Sequence, residues 1–136
     1  MDNHKLAYLC CRISLGLGFF MHGAVRLPKL GSFAEGISSE FAETLLSGYP
    51  SLAAGFVIPI VEAASGILIL LGGKFIRWGL AAGALLMGVL MFGSGLIENW
   101  SAVMAQLVHL GIFYLLLINR YTPGPDPEKN LPKASS

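Results

Sequence analysis

Four stretches of this 136-residue chain are long and apolar enough to cross a bilayer: Leu6 to Val25, Leu52 to Leu71, Phe75 to Ile97 and Ala102 to Ile118. A spanning helix needs about 20 mostly apolar residues, and a backbone inside hydrocarbon must satisfy its own hydrogen bonds. The fold class this dictates is all-α, a bundle of four transmembrane helices. A composition of 54% hydrophobic and 12% charged residues is likewise too apolar for a soluble domain of this length. One transmembrane domain is expected over residues 1–120. A tail from Tyr121 to Ser136, rich in proline and poor in apolar residues, is expected to be disordered on the cytoplasmic side. The first stretch starts after Lys5 as a signal peptide would, but Arg12 interrupts it and no small-residue cleavage site follows, so it is expected to be retained.

Lys5, Lys74, Arg77, Arg120, Lys129 and Lys133 fall at the N-terminus, in the second connection or in the tail. The positive-inside rule therefore predicts both termini in the cytoplasm. Within the first connection, Ser32-Phe-Ala-Glu35 reads as a capping box, and Gly48 with Pro50 reads as a stop. Phe33, Ile37, Phe41 and Leu45 recur every four residues, with Glu35, Glu40 and Glu43 off that stripe. An extra amphipathic helix over about residues 33–47 is expected there, lying on the outer membrane surface or lidding the bundle.

The formal charge of +1 offers no basic surface for nucleic acid, and none is expected as a partner. The adjacent Cys10 and Cys11 have neither zinc-site nor Cys-x-x-Cys spacing, so no metal is expected and both are read as packing residues. Gly79-x-x-x-Gly83, Gly88 and Gly95 in the third span, and Ser14 with Gly18 in the first, supply the small residues that let helices approach in lipid. Such surfaces also make a homodimer plausible on sequence grounds.

Ionisable groups within spans are costly and mark ligand sites, relays or pathways. The spans carry Arg12, His22, Glu62 and His109. With Val25, Leu52 and Ala102 as outer edges, a rise of about 1.5 Å per residue puts Glu62 and His109 on the order of 10 to 15 Å deep, Arg12 roughly 20 Å and His22 roughly 5 Å. Gly55, Pro59, Glu62 and Gly66 share one face of the second span, as do Ala102, Gln106, His109 and Phe113 in the fourth. Arg12, Gly16, Phe19, Gly23 and Arg26 form a comparable stripe, with His22 displaced by about 80°. Arg12 is thus expected to reach Glu62. Pro59 also strips the Gly55 carbonyl of its usual helical donor, which frees it for water or a ligand. Either the charges only fix helix order, or they form a polar site where Glu62 and His109 exchange protons with a ligand; a solute or proton path is the third possibility. Haem is not expected, since His22 and His109 differ in depth and no attachment motif is present.

Arg12 in the first span, Met21-His22-Gly23 at its outer end, Ile58-Pro59-Ile60-Val61-Glu62 followed by Gly66-Ile67-Leu68, and Leu71-Gly72-Gly73 before Arg77 resemble the DoxX family. The resemblance covers roughly Ala7 to Leu117. It implies a small four-helix protein of the inner (plasma) membrane, linked to quinone-coupled oxidoreduction, sulfur compounds and redox stress, with relatives similar to the DoxD subunit of thiosulfate:quinone oxidoreductase. Arg12, the His22-Gly23 pair and Glu62 carry over most directly. Arg26 or Lys29 stands in for a lysine that often follows the His-Gly pair in that family.

The function expected from these observations is a quinone-interacting subunit of a membrane oxidoreductase system. Glu62 and His109 would move protons, while Arg12, His22, Arg26 and Gln106 would bind the head group. No covalent cofactor is expected, so electrons must come from a partner oxidoreductase or a bound reductant, and the chain is not expected to be a complete enzyme alone. A membrane anchor or assembly subunit, or a small-solute or proton carrier, is the alternative.

Overall fold

The computed structural model describes residues 1–124, and these are helical throughout, without a β-strand. The helices are α1 (Asn3–Ala24), α2 (Leu30–Glu40), α3 (Tyr49–Leu71), α4 (Ile76–Leu96) and α5 (Trp100–Leu117). Short 3-10 turns at Leu27–Lys29 and Gly73–Phe75 link α1 to α2 and α3 to α4. Four helical segments, Asn3–Glu40, Tyr49–Leu71, Gly73–Leu96 and Trp100–Leu117, are long and apolar enough to cross a membrane, so the chain is a multi-pass membrane protein.

Local sequence accounts for the ends of these helices. Asp2 caps α1 by accepting from the Lys5 amide at 2.7 Å, and Asn99 caps α5 by accepting from the Ala102 amide at 3.2 Å. Pro50 occupies the first turn of α3, where a missing N–H costs nothing. At the other end Gly72 and Gly73 take φ of +71° and +54°, a left-handed pair that turns the chain into α4.

The path of α1 and α2 differs from the expected one. Gly16 packs on Ile69 and Leu70, Phe20 presses on Gly66, Gly23 on Pro59 and Ala63, and Ala34 on Gly55. These pairs climb α1 as they descend α3, so α1 runs antiparallel to α3, and after the break α2 crosses α3 at Gly55. Pro28, which has no amide to donate, lies in the break, and the break faces the middle of α3. The helix expected over residues 33–47 is present in part, shifted and shorter, as α2. The helix begins at Leu30, and the Ser32 hydroxyl lies within it, bonded back to the Lys29 carbonyl at 3.0 Å. It stops at Glu40, and turns fill residues 41–48. Ala34 is buried against α3, while Glu35, Glu40 and Glu43 are exposed.

The remaining packing follows the small residues. Gly79 lies against Ser65 and Leu68, and Gly83 accepts the edge of Phe113. Helix α3 thus joins α1 on one side to α4 on the other, and α4 carries α5. Contacts between α1 and α5 are few. They include an edge-to-face pair of Phe19 and Phe113, with centroids 4.8 Å apart, and a hydrogen bond between Tyr8 and Thr122 hydroxyls of 2.8 Å. Tyr121 also packs on Tyr8. The Tyr121 hydroxyl donates to Asp2, the cap of α1, and the Thr122 hydroxyl to the Leu116 carbonyl near the end of α5. The rest of the expected tail, residues 125–136, lies outside the described residues.

Candidate functional site

Beyond the Phe19–Phe113 contact, α1 and α5 part, and a cavity of about 470 Å³ opens between them, backed by α3 and α4 and roofed by α2. Leu15, Phe19, Ile58, Met87 and Leu90 give it an apolar wall, and Phe33, Ile37 and Phe41 cover its far end. The polar groups facing it are few. They include His22 and Arg26 from the end of the broken α1, Glu62 from α3, Ser94 from α4, and Gln106 with His109 from α5. A volume of that order suits a small-molecule ligand, and mostly apolar walls with a few convergent polar groups are the usual build of such sites.

The buried carboxylate at the centre is Glu62, only 4% exposed. Its Oε2 accepts from Arg26 Nη1 at 2.6 Å, and the guanidinium also lies over the Phe33 ring, 4.7 Å from its centroid. Arg12, the expected partner, is elsewhere. It reaches the end of α3, donating from Nη2 to the Leu70 carbonyl at 3.4 Å and lying against Gly72. There a cation meets the negative end of the helix dipole. Of the expected stripe, Arg12, Gly16, Gly23 and Arg26 face α3, while Phe19 meets Phe113 of α5. Because Gly23 packs on Pro59 and Ala63, Arg26 rather than Arg12 comes level with Glu62.

The same packing brings His22 and His109, expected at different depths, to one cavity. His109 Nδ1 lies 2.7 Å from the Ala105 carbonyl. A carbonyl only accepts, so Nδ1 carries the proton and Nε2 is the ring nitrogen left for a ligand. Gln106 Nε2 donates to Ser94 Oγ at 2.9 Å, and its Oε1 is buried without a partner. Gly18 and Ser14 do not serve close helix packing. Nothing lies within 4 Å of where a Gly18 side chain would begin, and both residues border the cavity. Gly55, whose carbonyl Pro59 was expected to free for a ligand, is covered by Ala34.

Residues that the sequence reading left out also belong to the site. Phe33 holds the guanidinium, and Ser94 orients Gln106. The regular spacing of Phe33 and Ile37 was the available signal for the roof, but it pointed equally to a surface helix. Cys10 and Cys11 are free and exposed, away from the cavity. A second groove between α1 and α5 near the termini is lined by His4, Tyr8, Cys11 and Arg120. There Arg120 faces Asp2 across 3.8 Å. Among the described residues no three His, Cys, Asp or Glu side chains converge as a metal site would require. No family model, curated relative or solved structure matches the chain.

Proposed function

We propose that this protein is a DoxX-like, quinone-interacting subunit of an inner-membrane oxidoreductase system, with the cavity between α1 and α5 as its head-group site. The observation that carries this reading is the Arg26–Glu62 pair, 2.6 Å apart and set in an otherwise apolar cavity wall. Charges inside a membrane bundle are expensive, and those beside a cavity mark the place where a ligand is held or a proton moved. Arg26 polarises one ring oxygen, while Glu62 and the Nε2 of His109 exchange the two protons that accompany a two-electron change of the ring. The electrons pass to or from a partner oxidoreductase or a bound reductant. Both termini lie in the cytoplasm, where Lys5, Lys74, Arg77 and Arg120 gather.

A second reading has a specific observation in its favour. The same pair ties the end of α1 to the middle of α3, so it also suits an anchor or assembly subunit whose charges set helix order. Titration of the protein in lipid nanodiscs with short-chain ubiquinone and menaquinone analogues separates the two. Saturable binding is expected, weakened about tenfold or more in a folded Glu62→Gln variant, as for the loss of a hydrogen bond to a charged group. Absence of binding to either analogue refutes the quinone reading in favour of the anchor.

A further inference from the structure

The polar groups around the cavity are unevenly satisfied, and the imbalance has a chemical direction. Glu62 is 96% buried, and while its Oε2 is held by Arg26, its Oε1 accepts no hydrogen bond from the described residues. Gln106 Oε1 is buried and has no donor. His109 gives its Nδ1 proton to the Ala105 carbonyl, so Nε2 is the ring nitrogen left to face a ligand. Two acceptor oxygens, Glu62 Oε1 on α3 and the buried Gln106 Oε1 on α5, therefore border one cavity without donors among the described residues, and the exposed His109 adds Nε2 beside them. The donors beside them come from the end of α1: Arg26, whose guanidinium keeps N–H groups beyond the one given to Glu62, and the exposed His22, which has a ring N–H in either tautomer.

A buried acceptor left unpaired is costly, so a ligand that fits brings a donor to the Gln106 oxygen, with the second oxygen of Glu62 open to another. The oxygens of a quinone accept only; facing Glu62 or Gln106 they would set lone pair against lone pair. A ring hydroxyl does both, accepting from Arg26 while donating to Glu62 Oε1, and a second hydroxyl across the ring donates to Gln106 or His109. Resting on the quinone reading above and sharpening it, we propose that the cavity is built for the hydroxyl-bearing form of the ring, a hydroquinone, in preference to the dicarbonyl form. The apolar gap beside Ser14 and Gly18 gives the ring's hydrocarbon tail its way out between α1 and α5.

The test is anaerobic titration of the full chain in nanodiscs with a short-chain benzohydroquinone, the corresponding quinone and the hydroquinone dimethyl ether, which keeps the shape and loses both donors. The hydroquinone is expected to bind about tenfold or more tighter than the quinone and the ether. In a Gln106→Leu variant that preference shrinks, while Cys10→Ser, an exposed position away from the cavity, retains it. Equal binding of the three probes, or tighter binding of the quinone, overturns the preference and leaves the quinone site standing. Binding of none of them overturns both. Should Gln106→Leu fail to fold, the ether comparison on the native chain still decides.

Discussion

Replacing Arg26 by Met removes the only cation within hydrogen-bonding distance of Glu62 among the described residues. The carboxylate side chain is 5% exposed and that of Arg26 is 28% exposed, so water screens the pair poorly. Removing one member of a buried pair typically destabilises by about 3–5 kcal/mol, whereas removing both charges together is often neutral or better. Arg26→Met is therefore expected to lose about 3 kcal/mol or more, and Arg26→Met with Glu62→Gln to recover most of it. The double-mutant coupling between positions 26 and 62 should reach about 1–3 kcal/mol. Between positions 12 and 62 it should stay within about 0.5 kcal/mol, because Arg12 bonds the end of α3 instead. Reversible unfolding in bicelles, followed by the fluorescence of Trp78 and Trp100, measures both cycles. Coupling of Arg12 to Glu62, or none between Arg26 and Glu62, would refute the placement of α1 against α3 and with it the identity of the cavity's cation.

Two glycines on α1 should respond oppositely to the same change. Gly23→Leu drives a side chain into Pro59 and Ala63 and should destabilise by about 1–3 kcal/mol or more; Gly18→Leu meets nothing within 4 Å and should leave the unfolding midpoint in place while blocking hydroquinone binding in nanodiscs. The Asp2 carboxylate is held below the usual carboxylate range by the Lys5 amide first and the Tyr121 hydroxyl second. A depressed value in the folded chain means that its contribution to α1 is complete above the unfolded-state value and disappears as pH falls through the folded one. NMR carbon shifts should show the first turn of α1 fraying in that acidic window in the native chain and at every pH in Asp2→Ala.

The spans were legible because their signal is long, apolar and redundant; every expected one contains a helix that ends within three residues of its reading. The faces were legible too, since a period of 3.6 residues put Arg12, Gly16, Gly23 and Arg26 toward α3 before any coordinates. Depth was not. It rested on treating Val25 as the end of a membrane crossing, and only tertiary packing reveals that Gly23 sits on Pro59 and Ala63 and that Ala34 sits on Gly55. Ser32 misled for a related reason. Its spacing to Glu35 has the form of a cap, yet the helix had already restarted at Leu30, where packing on α3 outweighs a local signal worth about 1 kcal/mol. The choice of Arg26 over Arg12 followed from the packing of Gly23 on α3.

The departures from ordinary bundle construction gather in one place. Away from the cavity the chain behaves as a well-packed membrane protein, with Gly16, Gly66, Gly79 and Gly83 bringing backbones and aromatic edges together. At the middle of α3 the first segment breaks at Pro28, a carboxylate is buried against a half-buried guanidinium where apolar residues would pack as well or better, the buried Gln106 oxygen goes without a donor, and about 470 Å³ is left unfilled. Each is a cost in a bundle that needs only to hold together. Sequences violate local rules where function requires it. The break is also what makes the other three possible: it ends α1 at the height of Glu62, turns Phe33 over the guanidinium and sets α2 across the cavity as a roof. A continuous first helix would have kept Arg26 on the α3 face but carried no roof, and the cavity would have lacked the aromatic ring that holds its cation.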